Sequence, residues 1–297
     1  MTIEDAPVAA DAPEQLSLWD TPPEPPAATP VDVSADESAY RSRQLITCIG
    51  NKRALTAPIE EAVMRVRARL GGRTLRVFDA FSGSGVVTRV LKAHASRIVA
   101  NDLEAFAAAA AKSFLRNRST VDGPALRACV EELNHLVATE PLDAGFIAEL
   151  YAPRDESRIT AADRVFYTRE NARRLDDYRR RLESLDPATR ELLLGPLLSQ
   201  ASIRANTAGV FKGFYKDRST GLGRFGGSGA DALSRITGTI ELEAPLQSGH
   251  ECEVAVFQED ANALAGRLPE IDLAYIDPPY NQHPYGSNYF MLNLLVS

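Results

Sequence analysis

The stretch Leu75-Arg-Val-Phe-Asp-Ala-Phe-Ser-Gly-Ser-Gly85 decides the fold class of this 297-residue chain. It predicts a strand that runs into a glycine-rich turn and then into a helix starting near Val86. Gly83 and Gly85 let the backbone approach a ligand closely, and the amino end of a helix favours a carboxylate or a phosphate. The pattern is short, but it predicts a ligand-binding turn in an α/β fold.

A second strand is predicted over Ser96-Arg-Ile-Val-Ala-Asn101, and Asp102 follows it directly. This is roughly the position past a glycine turn at which nucleotide-binding α/β folds place an acidic residue on the ribose hydroxyls. Asp102 is also suited to cap a helix predicted over residues 104–117. The two roles are compatible, so both stay open.

A third strand is predicted over residues 271–277, in the stretch Ile271-Asp-Leu-Ala-Tyr-Ile-Asp-Pro-Pro-Tyr280. Proline fixes φ and lacks an N–H, so the Asp277 carboxylate and the Pro278 carbonyl form a rigid pair of acceptors. The exocyclic amine of a flat base has two hydrogens to offer them, and Tyr280 offers an aromatic face on which an extruded base could stack. The alternative is a proline-rich turn after a buried strand, closed by an ordinary aromatic residue.

These elements together resemble the Dam-type N6-adenine DNA methyltransferases. The resemblance rests on Gly50-Asn51-Lys52-Arg53, the turn at 79–85, Asp102 and the tetrapeptide 277–280, in that order, and it covers most of the chain after residue 40. It implies a Rossmann-like α/β sheet and a site-specific enzyme that methylates a flipped adenine in double-stranded DNA. A restriction-modification or phage-defence system, with a cognate restriction endonuclease as partner, is the implied setting.

The resemblance also implies S-adenosylmethionine as cofactor and assigns residues to it. Gly50 and Lys52 would close the pocket, although Lys52 might equally contact DNA. Phe81 would pack beside the adenine or methionine moiety, and Asp260 would contact the adenine of the cofactor unless it is a surface turn residue. The implied cofactor set is Gly50, Lys52, Asp79, Phe81, Gly83, Gly85, Asp102 and Asp260.

The implied catalytic residues are Asp277, Pro278, Pro279 and Tyr280. An adenine amine is a poor nucleophile because its lone pair is delocalised into the ring, so hydrogen bonds that pyramidalise the nitrogen raise its reactivity. Methyl transfer from a sulfonium needs in-line alignment, so positioning and electrostatics should dominate over any strong base. The next segment, residues 281–289, also resembles that of adenine methylases, which implies that Tyr285 and Tyr289 line the target-base pocket.

The domain organisation follows from the same order of elements. A cofactor-binding half is expected at 40–117, a helical target-recognition insertion at 118–250, and the catalytic strand with its helix at 251–297. Helices within the insertion are predicted over residues 121–139, 143–151, 163–185 and 187–205. The third of these helices is rich in arginine and interleaved with acids, which predicts a solvated face of ion pairs rather than a DNA contact.

A stretch of lysine, arginine, aromatic residues and glycine at 206–229 predicts a mobile loop that tracks phosphates and stacks on bases. An ordinary glycine-rich surface loop is the alternative. The candidate DNA contacts are Lys212, Phe214, Tyr215, Lys216, Arg218 and Arg224.

Residues 1–39 hold nine acids and no lysine or arginine, and without those acids the formal net charge changes from −7 to +2. This proline-rich tail is predicted to be disordered. Within it, Gln15-Leu-Ser-Leu-Trp19 resembles the clamp-binding peptide of bacterial replication proteins. The sliding clamp is therefore an expected partner through Gln15, Leu16, Leu18 and Trp19, with a chance apolar patch as the alternative.

The remaining composition predicts a cytoplasmic protein without a membrane span, a metal site or disulfides. Only one helix, at 288–296, is predicted after the catalytic strand, so C-terminal strands are apparently missing and residues 271–277 would lie at an open sheet edge. We therefore expect a truncated or split gene product of weak activity. A noncatalytic DNA- or clamp-binding remnant and an RNA base methyltransferase are the alternatives, although the large insertion argues against the RNA enzyme.

Overall fold

The computed structural model describes residues 34–43, 45–48, 50–227, 230–280 and 284–297. The predicted clamp peptide, with Gln15, Leu16, Leu18 and Trp19, lies outside these ranges. Helix α1 (Ser34–Ser42) corrects the predicted tail of residues 1–39, because residues 34–39 belong to this helix. Glu37 is buried and accepts hydrogen bonds from Ser248 Oγ and from the backbone N of Gly249, both at 2.9 Å. Tertiary contact of this acid, which composition does not reveal, accounts for the difference.

In the described part of the chain, four parallel strands form one sheet in the order β3-β2-β1-β4. They are β1 (Leu75–Asp79), β2 (Ala95–Asn101), β3 (Glu253–Phe257) and β4 (Leu273–Tyr275). The first two agree with the prediction, whereas β3 was not predicted and β4 is shorter than the predicted strand at 271–277. As expected, β4 lies at the edge of this sheet, where it pairs only with β1. Its short ladder leaves Ile276 67% exposed.

Three helices cover one face of the sheet, namely α2 (Thr56–Arg69), α3 (Val86–Lys92) and α4 (Ala105–Phe114). The start of α3 at Val86 agrees with the prediction, while α4 is shorter than the helix expected over 104–117. Val77, Ile98 and Val254 lie side by side in the register of the sheet and contribute apolar side chains to this layer. Burial of such side chains is the main stabilising term in an α/β core.

The helical insertion is present, and several of its helices start later than predicted. Its helices are α5 (Gly123–Thr139), α6 (Phe146–Tyr151), α7 (Arg169–Leu182), α8 (Pro187–Ile203) and α9 (Ala230–Thr237). The α6 helix starts late because the Asp176 carboxylate, on α7, accepts hydrogen bonds from the backbone N of Gly145, Ile147 and Ala148 at 2.9–3.0 Å. Capping by a distant residue is invisible to a local sequence pattern.

The arginine-rich helix α7 is laced with ion pairs, as predicted. Arg174 Nε lies 2.9 Å from Glu170 Oε1, and Arg181 Nε lies 2.7 Å from Asp177 Oδ2. The face is not freely solvated, however, because the side chains of Arg174 and Arg181 are only 12% and 13% exposed. These arginines pack their stems against neighbouring helices and keep their charges paired.

The close approach of α4 and α8 depends on a proline inside a helix. Pro196 has no N–H, so the Leu192 carbonyl lacks its usual helical partner. The Ser113 hydroxyl on α4 donates to that carbonyl at 2.6 Å. Gly195 makes room for this contact, since a Cβ there would come within 2.3 Å of Ser113 Oγ.

The chain closes with three short helices, α10 (Ala261–Ala265), α11 (Tyr285–Asn288) and α12 (Phe290–Val296). The predicted single helix at 288–296 is therefore two helices, separated at Tyr289. Phe290 on α12 joins Tyr151, Phe166 and Phe211 in an aromatic cluster, with ring centroids 5.4–6.1 Å apart. The insertion thus shares its core with the C-terminal helix, and the boundaries at 118 and 250 stay predictions.

Candidate active site

The carboxyl ends of the four parallel strands meet at one edge of the sheet, where they line a cavity of about 480 Å³. Clefts at this position are the usual ligand sites of open α/β sheets. The cavity brings together most of the residues predicted from sequence. Its lining includes Gly50, Lys52, Asp79, Phe81, Gly83, Asp102, Asp260, Asp277 and Pro279.

The glycine turn after β1 forms the floor of this cavity and leads into α3. Gly85 is the N-cap of α3 with φ of 72°, a left-handed conformation that favours glycine, and it does not itself line the cavity. The Gly83 N–H donates to Asp102 Oδ2 at 2.8 Å. Ser82, which the sequence analysis did not single out, has a buried Oγ with no hydrogen-bond partner among the described residues. This hydroxyl is suited to a bound ligand.

Asp102 ties the turn after β2 to the glycine turn. Its Oδ1 accepts from the Glu104 N–H at 3.0 Å and its Oδ2 accepts from the Gly83 N–H. Burial raises the pKa of this carboxyl. The N-cap of α4 is Glu104, so Asp102 does not take the predicted capping role but holds the turn before the helix. Its position in the cavity is compatible with a ribose contact, which stays a prediction.

Asn101 holds three strand ends together, and sequence reasoning missed it. Its Nδ2 donates to the Ala80 carbonyl at 3.2 Å and to the Glu259 carbonyl at 3.1 Å, while its Oδ1 accepts from the Glu259 N–H at 3.2 Å. The residue is 1% exposed. The only sequence signal for this role was that Asn101 is a polar residue at the end of an apolar strand.

Asp260 follows β3 and lines the cavity. It is also the N-cap of α10, because its Oδ1 accepts from the backbone N of Asn262 and Ala263 at 3.0 Å each. Asp260 therefore lies in a turn, as one prediction had it, and also lines the cavity, as the other prediction requires. Its contact with a cofactor adenine stays a prediction.

Asp79 is the buried carboxylate at the end of β1. Its Oδ2 accepts from Thr88 Oγ1 at 2.5 Å and its Oδ1 accepts from the Phe81 N–H at 3.3 Å. Burial is the largest cause that raises its pKa to about 7, and the neighbouring carboxylates of Asp102 and Asp277 add to the shift.

The predicted catalytic tetrapeptide, residues 277–280, begins two residues after the end of β4. Asp277 Oδ2 is 2.6 Å from Lys52 Nζ, an ion pair that sequence reasoning did not predict. Lys52 Nζ also donates to the Gly50 carbonyl at 3.0 Å and lies 5.4 Å from the centre of the Tyr280 ring. Tyr280 is 64% exposed and, like Pro278, is not among the described lining residues; it lies beside the cavity next to Gly50 and Lys52.

The predicted aromatic lining of the target pocket needs one correction. Tyr285 lines the cavity, but Tyr289 is fully buried and its ring packs 5.3 Å from that of Phe106. Tyr289 therefore supports the helix ends rather than facing a base. Residues 281–283 of the predicted pocket segment lie outside the described ranges.

The ionisable side chains that line the cavity are mostly acidic. Its described lining carries six carboxylates, and Lys52 is the only cationic side chain among those residues. The carboxylates belong to Asp79, Asp102, Glu104, Glu259, Asp260 and Asp277. A ligand with positive charge would relieve their mutual repulsion.

Comparison with known proteins places this site in a family. A family model described as D12 class N6 adenine-specific DNA methyltransferase matches residues 49–295. The chain belongs to this family. The match confirms the predicted α/β methyltransferase fold and the predicted activity, site-specific N6 methylation of adenine in DNA.

Type II methyltransferases resemble this methyltransferase over most of its length. M.NlaIII of Neisseria lactamica is 30% identical over 257 residues, which cover 84% of this chain and 68% of the relative. M.CviAII of Paramecium bursaria Chlorella virus 1 is 29% identical, with the same coverage of both chains. M.FokI of Planomicrobium okeanokoites is 26% identical over 73% of this chain but only 32% of its own length. These relatives support the expected link to restriction-modification.

The predicted DNA-contacting stretch of this methyltransferase is a hydrogen-bonded hairpin over much of its length. Lys216 pairs with Gly223 in an antiparallel bridge, and the Arg224 N–H donates to the Tyr215 carbonyl at 2.9 Å. The turn closes because Asp217 Oδ1 accepts hydrogen bonds from Ser219 and Thr220. Local turn chemistry thus orders a segment that composition had suggested would be a mobile loop.

Buried Asn206 anchors the hairpin to the body of the methyltransferase. Its Nδ2 donates to the carbonyls of Val165 and Arg224 at 2.8 and 3.0 Å, and its Oδ1 accepts from the Gly226 N–H. The Phe214 ring packs 5.2 Å from Phe166, so it supports the hairpin instead of offering a free face to a base as predicted. Lys212, Lys216, Arg218 and Arg224 are exposed, and their contact with DNA stays a prediction.

Within the described ranges, no helix is both long enough and apolar enough to cross a membrane. The clamp and the restriction endonuclease stay predictions as partners of this methyltransferase.

Proposed function

We propose that this methyltransferase uses S-adenosylmethionine in the cavity at the strand ends and modifies an adenine that enters past Tyr280. The observation that carries the proposal is that Asp277, from the end of β4, lines the same cavity as the glycine turn and Asp102. A donor on the glycine turn and an acceptor base at Asp277 would therefore share one space. Such proximity is the main requirement for a direct group transfer.

The residues of the cavity fit the proposed cofactor. The six carboxylates suit its sulfonium and ammonium charges, and the unpartnered Ser82 hydroxyl offers a hydrogen bond in the turn. Asp102 would take the ribose, Asp260 the adenine edge, and Phe81 an apolar contact, each from a position on the lining. When bound, S-adenosylmethionine supplies an electrophilic methyl group. A volume of about 480 Å³ is in the range of small-molecule sites.

The chain supplies hydrogen-bond acceptors for the target amine. Asp277 offers a carboxylate oxygen and Pro278 offers a carbonyl oxygen, and the two prolines after Asp277 restrict the backbone that presents these acceptors. Two acceptors draw the amine hydrogens out of the ring plane and localise the nitrogen lone pair toward the methyl donor. Tyr280, exposed beside the cavity, would stack on the extruded base.

DNA binding is proposed for the exposed cations of the hairpin. The exposed side chains are Lys212, Lys216, Arg218 and Arg224, and the segment that carries them is hydrogen-bonded to Asn206. The hairpin is tied to the catalytic side of the cavity, because the Phe211 N–H donates to the Asn288 carbonyl at the end of α11 at 2.7 Å. We propose that these residues contact the phosphates next to the flipped adenine.

The test is transfer of a radiolabelled methyl group from S-adenosylmethionine to duplex DNA, with N6-methyladenine identified by mass spectrometry. We expect the wild-type chain to label adenine and Asp277→Ala to lose about 100-fold or more of the rate, since it removes an acceptor of the reacting amine. Asp155→Ala is the matched control, because Asp155 lies in an exposed turn of the insertion. Equal rates for wild type and Asp277→Ala would contradict the assignment, and absence of labelling by the wild type would favour the noncatalytic alternative.

A further inference from the structure

Lys52 and Asp277 form a link between two segments that no strand ladder joins. Lys52 precedes the short helical turn Arg53–Leu55, whereas Asp277 follows β4. Lys52 Nζ lies 2.6 Å from Asp277 Oδ2 and donates to the Gly50 carbonyl at 3.0 Å. The two side chains are 20% and 29% exposed, so the pair is shielded from solvent in part.

The catalytic segment needs such a link because its strand gives it little support. The β4 ladder ends at Tyr275, pairs with β1 alone and covers only Val77 to Asp79 on that partner. Asp277 lies two residues beyond the last ladder pair, and Pro278 and Pro279 have no N–H with which to anchor the backbone. Among the described residues, the only hydrogen-bonded or ionic partner found for the Asp277 carboxylate is Lys52.

We propose that Lys52 is a positioning residue for methyl transfer, which holds Asp277 in the orientation that receives the adenine amine. This proposal rests on the function proposed above and refines the earlier expectation that Lys52 closes the cofactor pocket or contacts DNA. An ammonium fixed on Oδ2 leaves Oδ1 to accept from the amine. The same ammonium partly balances the negative charge of the cavity, where Lys52 is the only cation among the described lining residues.

Gly50 belongs to the same arrangement. It has φ of 74°, and a Cβ on this residue would come within 2.5 Å of the Tyr280 hydroxyl. The segment that carries Lys52 is therefore packed directly against the last residue of the tetrapeptide. Lys52 Nζ also lies 5.4 Å from the Tyr280 ring centre, within the range of a cation–π contact. One side chain thus touches both the first and the last residue of the catalytic segment.

The test compares Lys52→Met and Lys52→Arg with wild type in steady-state methylation of duplex DNA. Methionine keeps the length of the stem and removes the charge, so we expect kcat to fall roughly 10- to 100-fold with KM for S-adenosylmethionine and for DNA each changed by less than about threefold. Arginine can still pair with Asp277 and should restore most of kcat. Lys112→Met is the control, because Lys112 is an exposed lysine on α4 that pairs with Glu191 on α8 at 3.4 Å. This variant should leave kcat and both KM values unchanged.

Four outcomes would overturn the proposal. A rise in KM for S-adenosylmethionine with kcat preserved would assign Lys52 to the cofactor, and a weaker, less salt-dependent DNA affinity with kcat preserved would assign it to a phosphate. An arginine variant as slow as the methionine variant would mean that the pair with Asp277 is not what matters. Thermal unfolding checks that Lys52→Met is folded, and Lys52→Gln takes its place otherwise. If Asp277→Ala is fully active, the proposed function itself fails, whereas an essential Asp277 with a silent Lys52→Met rejects only this inference.

Discussion

At the scale of single residues, the buried carboxyl of Asp79 makes the site sensitive to pH. Burial and, to a smaller extent, the neighbouring carboxylates raise its pKa to about 7, so this carboxyl is partly protonated at neutral pH. A cationic ligand favours the ionised form, and binding below pH 7 must therefore release a proton. The affinity for S-adenosylmethionine should rise as pH rises through 7 and level off above it.

We expect this affinity to increase about tenfold between pH 6 and pH 8, the factor that follows from linkage for a group that titrates near 7. Asp79→Asn should remove that part of the pH dependence while keeping the hydrogen bond from Thr88 Oγ1. Calorimetry in two buffers of different ionisation enthalpy measures the released proton directly. Protonation of the free ligand is the same in the experiments with wild type and with Asp79→Asn. The difference in proton release between the two proteins therefore reports on Asp79. A variant with the same pH dependence as wild type would refute the idea.

Residue patterns at strand ends predicted much of this site, because parallel strands bring their carboxyl ends to one edge whatever the rest of the chain does. Asp102 and Asp277 were found in this way. Asn101, Ser82 and the pairing of Lys52 with Asp277 were not, since each depends on atoms brought together from separate segments. Sequence spacing predicts which residues lie in a site. It predicts the contacts of those residues less readily.

At the scale of secondary-structure elements, the contact between α4 and α8 depends on one hydroxyl. Ser113 Oγ satisfies the Leu192 carbonyl that Pro196 leaves without an N–H. Ser113→Ala would leave a buried carbonyl unpaired, so we expect the free energy of unfolding to fall by about 1–3 kcal/mol. Urea unfolding measures the change, and Ser184→Ala is the control, because Ser184 is exposed and bonds only within its own helix end. Equal losses in the two variants would show that the contact with α8 is not the cause.

Element boundaries were harder to predict than element types for a related reason. The insertion is helical as expected, but α6 begins where Asp176 of another helix caps it and α7 begins where Thr168 accepts from the Asn171 N–H. The strand β3 was missed because its five residues are all only half-buried and its best support, the ion pair of Glu253 with Arg97, comes from the neighbouring strand. The cap of α6 and the ion pair of β3 come from distant parts of the chain, whereas the Thr168 cap of α7 lies in the local sequence and was overlooked.

At the scale of the whole molecule, acidic and basic side chains are concentrated in different places. The formal net charge is −7, and the cavity lining is itself rich in carboxylates, so phosphates would be repelled from it. Exposed cations on the hairpin offer the opposite sign. The Lys216 ammonium lies 5.4 Å from the centre of the Phe214 ring, within the range of a cation–π contact, and the residue is exposed. This arrangement favours DNA bound across the hairpin with one base directed to the cavity.

DNA affinity should therefore depend on salt through the hairpin. For the double variant Lys216→Ala, Arg218→Ala we expect weaker binding and a slope of log K against log salt reduced by roughly 2, because each phosphate contact releases about one counterion. Fluorescence anisotropy between 50 and about 200 mM salt measures the slope over a range in which such contacts dominate. Arg65→Ala is the matched control, since Arg65 is 64% exposed on α2 and pairs with Glu61. If Arg65→Ala reduces the slope of log K against log salt as much as the double variant does, DNA binding depends on the overall charge of the protein. In that case the hairpin does not position the duplex.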